Sequence, residues 1–171
     1  SNTDSAAMMA AIRAGTDLAP AEWSGAPVAI LGAGGAARAA AVALREIGAD
    51  VTVYGRSRAR ADVLAADLGC RAASWDERHT LAARILLNCT PIGQSPDENA
   101  TPIDASALRG DMIVFDAVYR PRQTRLIVEA RARGCRVIEG LEMFLHQAAA
   151  QWRAWTGRDA PLSVMRSAAT P

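Results

Sequence analysis

Two short clusters of small and basic residues have the right chemistry to hold phosphate groups. The first, Gly32-Ala33-Gly34-Gly35-Ala36-Ala37, directly follows the apolar run Val28-Ala29-Ile30-Leu31. In this GxGxxA spacing Gly32 permits a tight turn, Gly34 lets backbone approach a pyrophosphate, and Ala37 lets a helix pack closely on a strand. The helix that follows aims its unpaired N–H groups and the positive end of its dipole at the phosphates. Glycines alone would only make a turn; the strand before them and the helix after them supply the meaning. Gly32, Ala33, Gly34, Gly35 and Ala36 are therefore the expected contacts to a dinucleotide.

The second cluster is Tyr54-Gly55-Arg56-Ser57-Arg58-Ala59-Arg60, at the end of the next strand. A site for NAD normally carries Asp or Glu there, to accept from the ribose hydroxyls. Asp50 is acidic but precedes that strand, and so belongs at its far end. Arginines in this position pair bidentately with a 2′-phosphate, and Arg56 can also stack on an adenine face. A solvated helix start suffices for Arg58 alone. A basic first turn nevertheless opposes the helix dipole unless an anion sits there. The expected cofactor is NADP, held by Gly55, Arg56, Ser57 and Arg60.

The elements that must position these clusters alternate along the chain. A helix over 6–14 follows the N-cap residues Asn2-Thr3-Asp4-Ser5, and residues 19–27 read as a connecting loop. Strands are expected over 28–31, 51–54, 71–74, 85–89, 112–116 and 136–138. Helices are expected over 36–47, 58–68, near 77–83, over 123–133 and over 141–155, with a short last one after Pro161. Strand and helix in alternation with short turns imply parallel strands joined by right-handed crossovers. The expected class is α/β: a Rossmann-like, doubly wound, mainly parallel sheet of about six strands with helices on both faces.

Composition narrows the partners. A chain of 171 residues is one domain's length, and a net charge of +1 suggests neither nucleic acid nor an anionic membrane. No apolar run reaches the ~20 residues of a membrane span, and the N-terminus has no secretory pattern. Cys70, Cys89 and Cys135 are odd in number and far apart, which suits reduced, cytoplasmic thiols that act as small hydrophobes. His79 and His146 have no partner spacing for a metal, and none is expected. All 19 basic residues are arginine, so the chain has no lysine.

Gly32–Ala36 followed by Arg56-Ser57 and Arg60 resembles the shikimate dehydrogenase family. That family's second motif usually reads Asn-Arg-Thr, with Gly55 and Ser57 standing here for the Asn and the Thr. Asn88-Cys89-Thr90-Pro91-Ile92-Gly93 resembles its Asn-Ala-Thr-Pro-Val-Gly loop near the nicotinamide. Asp116-Ala117-Val118-Tyr119-Arg120-Pro121 with Thr124 resembles its Asp-x-x-Tyr-x-Pro-x-x-Thr segment. Gly140 through Met143 to Gln147, Trp155-Thr156-Gly157 and the opening Asn2-Thr3-Asp4 resemble its closing helix start, its tail and its interdomain hinge. Each motif is common, but six in order are specific, and together they cover essentially the whole chain. Glu142-Met143-Phe144 looks more like the bifunctional dehydroquinate dehydratase–shikimate dehydrogenases.

The resemblance implies reversible NADPH-dependent reduction of 3-dehydroshikimate to shikimate. Asp4 would be the catalytic carboxylate, bonded to the substrate hydroxyl beside a proton-shuttling lysine. Tyr119 and Gln147 would bind substrate, and Thr90, Ala117 and Gly140 would meet the cofactor. Without the resemblance, Asp4 reads as a helix N-cap, Tyr119 as a half-buried strand-end aromatic and Gln147 as an exposed helical side chain. The family's lysine lies on an N-terminal substrate domain that precedes Asn-Thr-Asp. The expectation is thus a single NADP-binding domain over 1–171, with that substrate domain absent and no catalysis alone. Within it, 1–26 would be hinge helix and linker, 27–140 the core and 141–171 C-terminal helices. A quinate or quinate/shikimate dehydrogenase domain is a second possibility. A non-catalytic dinucleotide-binding module is a third, against which Asp4, Tyr119 and Gln147 argue, because a sensor needs no substrate groups.

Overall fold

Val28 and Ile30 pack on one side of a sheet, and Ala29 and Leu31 on the other. A run with no polar residue forms a strand because both of its faces are buried, and successive side chains alternate between them. In the computed structural model the chain is described over residues 2–16 and 18–169, and for Asn2, Thr3, Asp4 and Pro20 as backbone alone. Six strands form one sheet: β1 (Pro27–Leu31), β2 (Asp50–Gly55), β3 (Arg71–Ser74), β4 (Ile85–Asn88), β5 (Ile113–Asp116) and β6 (Arg136–Ile138). Their order is 3-2-1-4-5-6 and every neighbouring pair is parallel, so the sheet is wholly rather than mainly parallel.

The helices are α1 (Asn2–Gly15), α2 (Pro20–Trp23), α3 (Gly35–Glu46), α4 (Arg58–Leu68), α5 (Arg125–Ala132), α6 (Gly140–Thr156) and α7 (Leu162–Ala169). Met8 and Ile12 of α1, Ala40 and Leu44 of α3, Leu64 of α4 and Met143 of α6 share one core with Val28, Ile30 and Phe115. On the opposite face Leu126 and Ala130 of α5 pack with Ala29, Leu31 and Val114. Five buried alanines let α3 lie close to the sheet, which keeps its N-terminus at the end of β1.

Three local expectations are revised. Residues 2–5 do not precede the first helix as a cap; the helix runs from Asn2, and α1 packs into the core. Residues 19–27 are not all loop. Pro20 at the first helical position and Glu22, whose carboxylate accepts from Ala19 N at 2.8 Å, start the short α2. The stretch expected near 77–83 is a 3-10 helix at Asp76–Thr80, with a second 3-10 turn at Ala105–Ala107. The other boundaries agree within about two residues, the usual fraying of helix and strand ends.

The C-terminal ends of β4 and β5 are tied together by buried polar groups. Asn88, Asp116 and Thr124 are each 0% exposed. Asp116 Oδ1 accepts from Asn88 Nδ2 at 2.9 Å and from Val118 N at 3.0 Å, and Oδ2 accepts from Thr124 Oγ1 at 2.6 Å. Asn88 Oδ1 in turn accepts from Thr90 N at 3.0 Å and Thr90 Oγ1 at 2.7 Å. Burial is the main influence on Asp116 and pushes its carboxyl up to about 6, while the three hydrogen bonds oppose the rise. Beside this network, a Cβ at Gly140 would lie 2.5, 2.7 and 2.8 Å from the carbonyl oxygens of Val118, Asp116 and Ala117. Only glycine lets α6 start there.

Two stability outcomes are expected. Gly140→Ala forces a methyl into three backbone oxygens and should lower the unfolding free energy in urea by about 1–3 kcal/mol or more. The folded chain holds the Asp116 proton more tightly than an unfolded chain, whose carboxyl titrates near 3.8. Asp116 therefore favours folding most below that value, and its contribution falls as pH rises from about 4 to 6, by up to about 3 kcal/mol. Urea midpoints of the native chain minus those of Asp116→Asn, taken across that window, should show the decline. A flat difference would contradict it.

Candidate functional site

Both glycine-rich and basic clusters lie at the C-terminal edge of the sheet, where β1 and β4 diverge in connection. Open parallel sheets bind ligands in the crevice at that reversal. Gly32 N donates to Tyr54 O at 2.8 Å, and the residue takes φ +110, which L side chains rarely adopt. A Cβ there would also lie 2.9 Å from Cys89 O, so turn and packing both demand glycine. Gly34 caps α3 without a side-chain hydrogen bond, and the first turn of that helix carries no acidic residue. At Gly34 and Gly35 a Cβ would meet nothing within 4 Å. The backbone there faces open space, as an approaching pyrophosphate requires.

Gly55 is closely packed: a Cβ would come 3.0 Å from Ala61 Cβ and 3.4 Å from Ala33 Cβ. Ser57 caps α4, its hydroxyl accepting from Arg60 N at 3.4 Å. The three neighbouring arginines then separate by partner. Arg58 Nε is bound to Asp62 Oδ1 at 2.8 Å, one turn along α4. Arg56 and Arg60 have no side-chain partner among the described residues, and both line a cleft of about 560 Å3 with Gly32, Gly34, Ser57 and Thr90. Asp50 sits at the opposite end of β2, bonded to Arg71 Nη2 at 2.7 Å, as expected of an acid outside the site.

A second cleft of about 420 Å3 adjoins the first through Cys89, Thr90 and Pro91, and is bordered by Ala36, Ala117 and Tyr119. Together they make one groove from β2 across to β5. Tyr119 is exposed and stacks on Phe144 of α6, with ring centroids 5.0 Å apart and planes at 15°. Gln147, one turn further along α6, is half-buried rather than exposed and is engaged in an interaction. Gly140 lines neither cleft, being buried against the 116–118 backbone. Ala33, Ala36 and Thr90 border the groove. The Asp4 side chain lies outside the described residues, so its role remains an expectation from resemblance.

Sequence reasoning quoted Asn88, Asp116 and Thr124 within motifs but gave them no work. They are the polar residues that shape the groove wall, Asn88 by fixing Thr90 and Asp116 by fixing Val118. A polar residue closing an apolar strand, as in both Ile85–Asn88 and Ile113–Asp116, was the available signal. The Cys89 thiol, beside the groove, is pushed up to about 12 by burial and by the Asp116 charge, which rules it out as a ready nucleophile. Burial raises Cys70 and Cys135 too, and all three are free. Among the described residues no group of three His, Cys, Asp or Glu side chains could hold a metal ion.

The family model described as the shikimate 5′-dehydrogenase C-terminal domain matches residues 140–170. Shikimate dehydrogenase (NADP(+)) of Halobacterium salinarum is 45% identical over 147 residues, 85% of this chain and 55% of that protein. The crystal structure of shikimate 5-dehydrogenase from Thermus thermophilus, in complex with NADP(H) and shikimate, is 40% identical and superposes with a TM-score of 0.85, covering 98% of this chain and 61% of that one. Quinate dehydrogenase of Corynebacterium glutamicum, in complex with NAD, is 32% identical with a TM-score of 0.84, covering 98% and 61%. The chain thus spans little more than half the length of the relatives it matches. With the glycine loop, the arginine pair and the Asp116 wall in one groove, these likenesses place the chain in the shikimate dehydrogenase family, as its C-terminal domain.

Proposed function

We propose that the chain is the cofactor-binding half of a cytoplasmic NADP-dependent shikimate dehydrogenase, which interconverts 3-dehydroshikimate and shikimate. The observation that carries this is the pair of unpartnered arginines, Arg56 and Arg60, facing the same cleft as the open backbone of Gly34. Partnerless cations beside a helix N-terminus fit a phosphate that pairs with both. The groove's dimensions and donors fit a dinucleotide: glycine loop at its centre, arginines at the β2 end, Thr90 and Ala117 at the β5 end. The names and bound ligands of the Halobacterium and Thermus relatives support the same assignment. Three free cysteines support a reducing compartment.

When bound, the cofactor supplies the hydride that reduces the substrate ketone. The chain's own residues orient and exclude. Gly32–Gly34 and α3 fix the pyrophosphate, and Arg56, Ser57 and Arg60 hold the 2′-phosphate. Tyr119, braced by Phe144, and Gln147 hold the substrate, and Asp4 bonds the hydroxyl that gains or loses its proton. The lysine that the family uses beside that carboxylate has no counterpart in this sequence. A second domain must bring it.

Calorimetry on the chain should show NADP(H) bound at least ~10-fold more tightly than NAD(H), about 1.4 kcal/mol. Arg56→Ala should erase most of that preference, whereas Arg58→Ala should matter little, since Arg58 is already committed to Asp62. Equal affinities for the two cofactors would remove the NADP assignment. Gly34→Val should abolish binding and leave the fold intact, because its side chain would enter open space that the pyrophosphate needs. The chain mixed with NADP and shikimate should form no NADPH at a meaningful rate. Positioning can be worth ~7–11 kcal/mol, and on the proposed reading these residues by themselves supply one wall of the substrate cleft. Absorbance showing turnover near an ordinary ~10 s⁻¹ would refute the need for a second domain.

A further inference from the structure

Gly55 of β2 and Ser74 of β3 are register partners in the parallel sheet. The next residues, Arg56 and Trp75, therefore leave adjacent strands at the same edge, and both line the 560 Å3 cleft. Trp75 is half-buried and packs on the core of the α5 face, so its indole is anchored rather than loose. Arg78 seals one face of the ring, its guanidinium carbon 4.2 Å from the ring centroid. That arginine is itself pinned: Nη1 donates to Trp75 O at 2.6 Å and Nε to Pro102 O at 2.7 Å. Arg78 does not border the cleft, whereas Trp75 does.

We propose that Trp75 is a purine-stacking wall of this cleft, holding the adenine end of the dinucleotide beside Arg56. The inference rests on the NADP reading and adds a residue to it. The groove's other stretches already have work: the glycine loop faces the phosphates, Arg60 and Ser57 the 2′-phosphate, and the β5 end the nicotinamide. Adenine needs a flat, apolar surface, because stacking on a π-face is the main interaction open to an exposed base. A guanidinium plane and an indole at neighbouring strand ends supply such surfaces. Among the described residues Trp75 is the one tryptophan that borders either part of the groove. Its fluorescence should therefore report on the ligand.

The test titrates the chain, Trp75→Phe and Trp75→Leu with NADP, with adenosine 2′,5′-bisphosphate and with nicotinamide mononucleotide. Calorimetry and tryptophan emission are both read, and circular dichroism checks the fold of each variant. In the native chain the adenosine bisphosphate should bind and quench emission, and the nicotinamide mononucleotide should not quench. Trp75→Phe keeps a stacking ring, so it should bind both adenine ligands within about threefold of the native chain, with the quench lost. Trp75→Leu should weaken both by at least about fivefold. A smaller loss in a folded Trp75→Leu variant overturns the proposal, as does a quench that survives in Trp75→Phe. NADP binding that ignores Trp75 would leave the cofactor reading standing, whereas a native chain that binds neither adenine ligand would end both. Should Trp75→Leu not fold, the quench and its loss in Trp75→Phe decide the matter.

Discussion

A carboxylate buried at the end of β5 sets the terms for the groove. Asp116 has no ion-pair partner among the described residues, so its charge is balanced only by donors drawn from three separate segments. Asn88 comes from β4, Thr124 from the cap of α5 and Val118 from the loop beyond β5. A buried acceptor with unmet donors around it costs more than the network returns when complete, so these segments keep one arrangement. That arrangement places Thr90 and Ala117 on the groove and leaves room for Gly140 to start α6 against the loop. The Tyr119–Phe144 stack hangs on the same loop and the same helix. Much of the β5 end of the groove is thus a consequence of where one carboxylate is satisfied.

The opposite end is built by another rule. From β1 to β3 the groove is shaped by small residues and close approaches: alanines along α3, Gly32 against the Cys89 carbonyl, Gly55 against Ala61. Cationic side chains then stand out from that tight surface. Geometry is fixed by polar satisfaction at one end and by lack of side-chain volume at the other, and the shared Cys89–Pro91 segment couples them.

The strand–helix alternation was legible in the sequence because apolar runs closed by glycines leave few other readings. The glycine turn was legible for the same reason, its spacing being tied to a strand before and a helix after. Legibility failed where meaning depends on tertiary neighbours. Asn88 and Thr124 look like ordinary polar residues until β4 and α5 converge on Asp116. Trp75 sits beyond a short, weak strand, and its neighbour Arg78 reads as a surface charge, although it is largely enclosed. Arg58 was set apart from Arg60 in the sequence, and the reach of Asp62 to Arg58 supplies the physical reason. α2 was hidden because Pro-rich stretches read as loop, though Pro20 and Glu22 are also a helix start.

The first turn of α4 has a bearing on how long the chain survives in a cell. Arg56 and Arg60, without side-chain partners among the described residues, flank a helix end that is already electropositive, with no acidic residue in its first turn. Such crowding is self-repulsive, and a bound polyanion would relieve it. A ligand that binds only the folded form adds RT ln(1 + [L]/Kd) to stability, about 2.7 kcal/mol at a hundredfold excess over Kd. Proteases that attack transiently opened chains respond to that increment. On the proposed reading the unliganded chain is the more perishable form, and its abundance would follow the supply of the nucleotide.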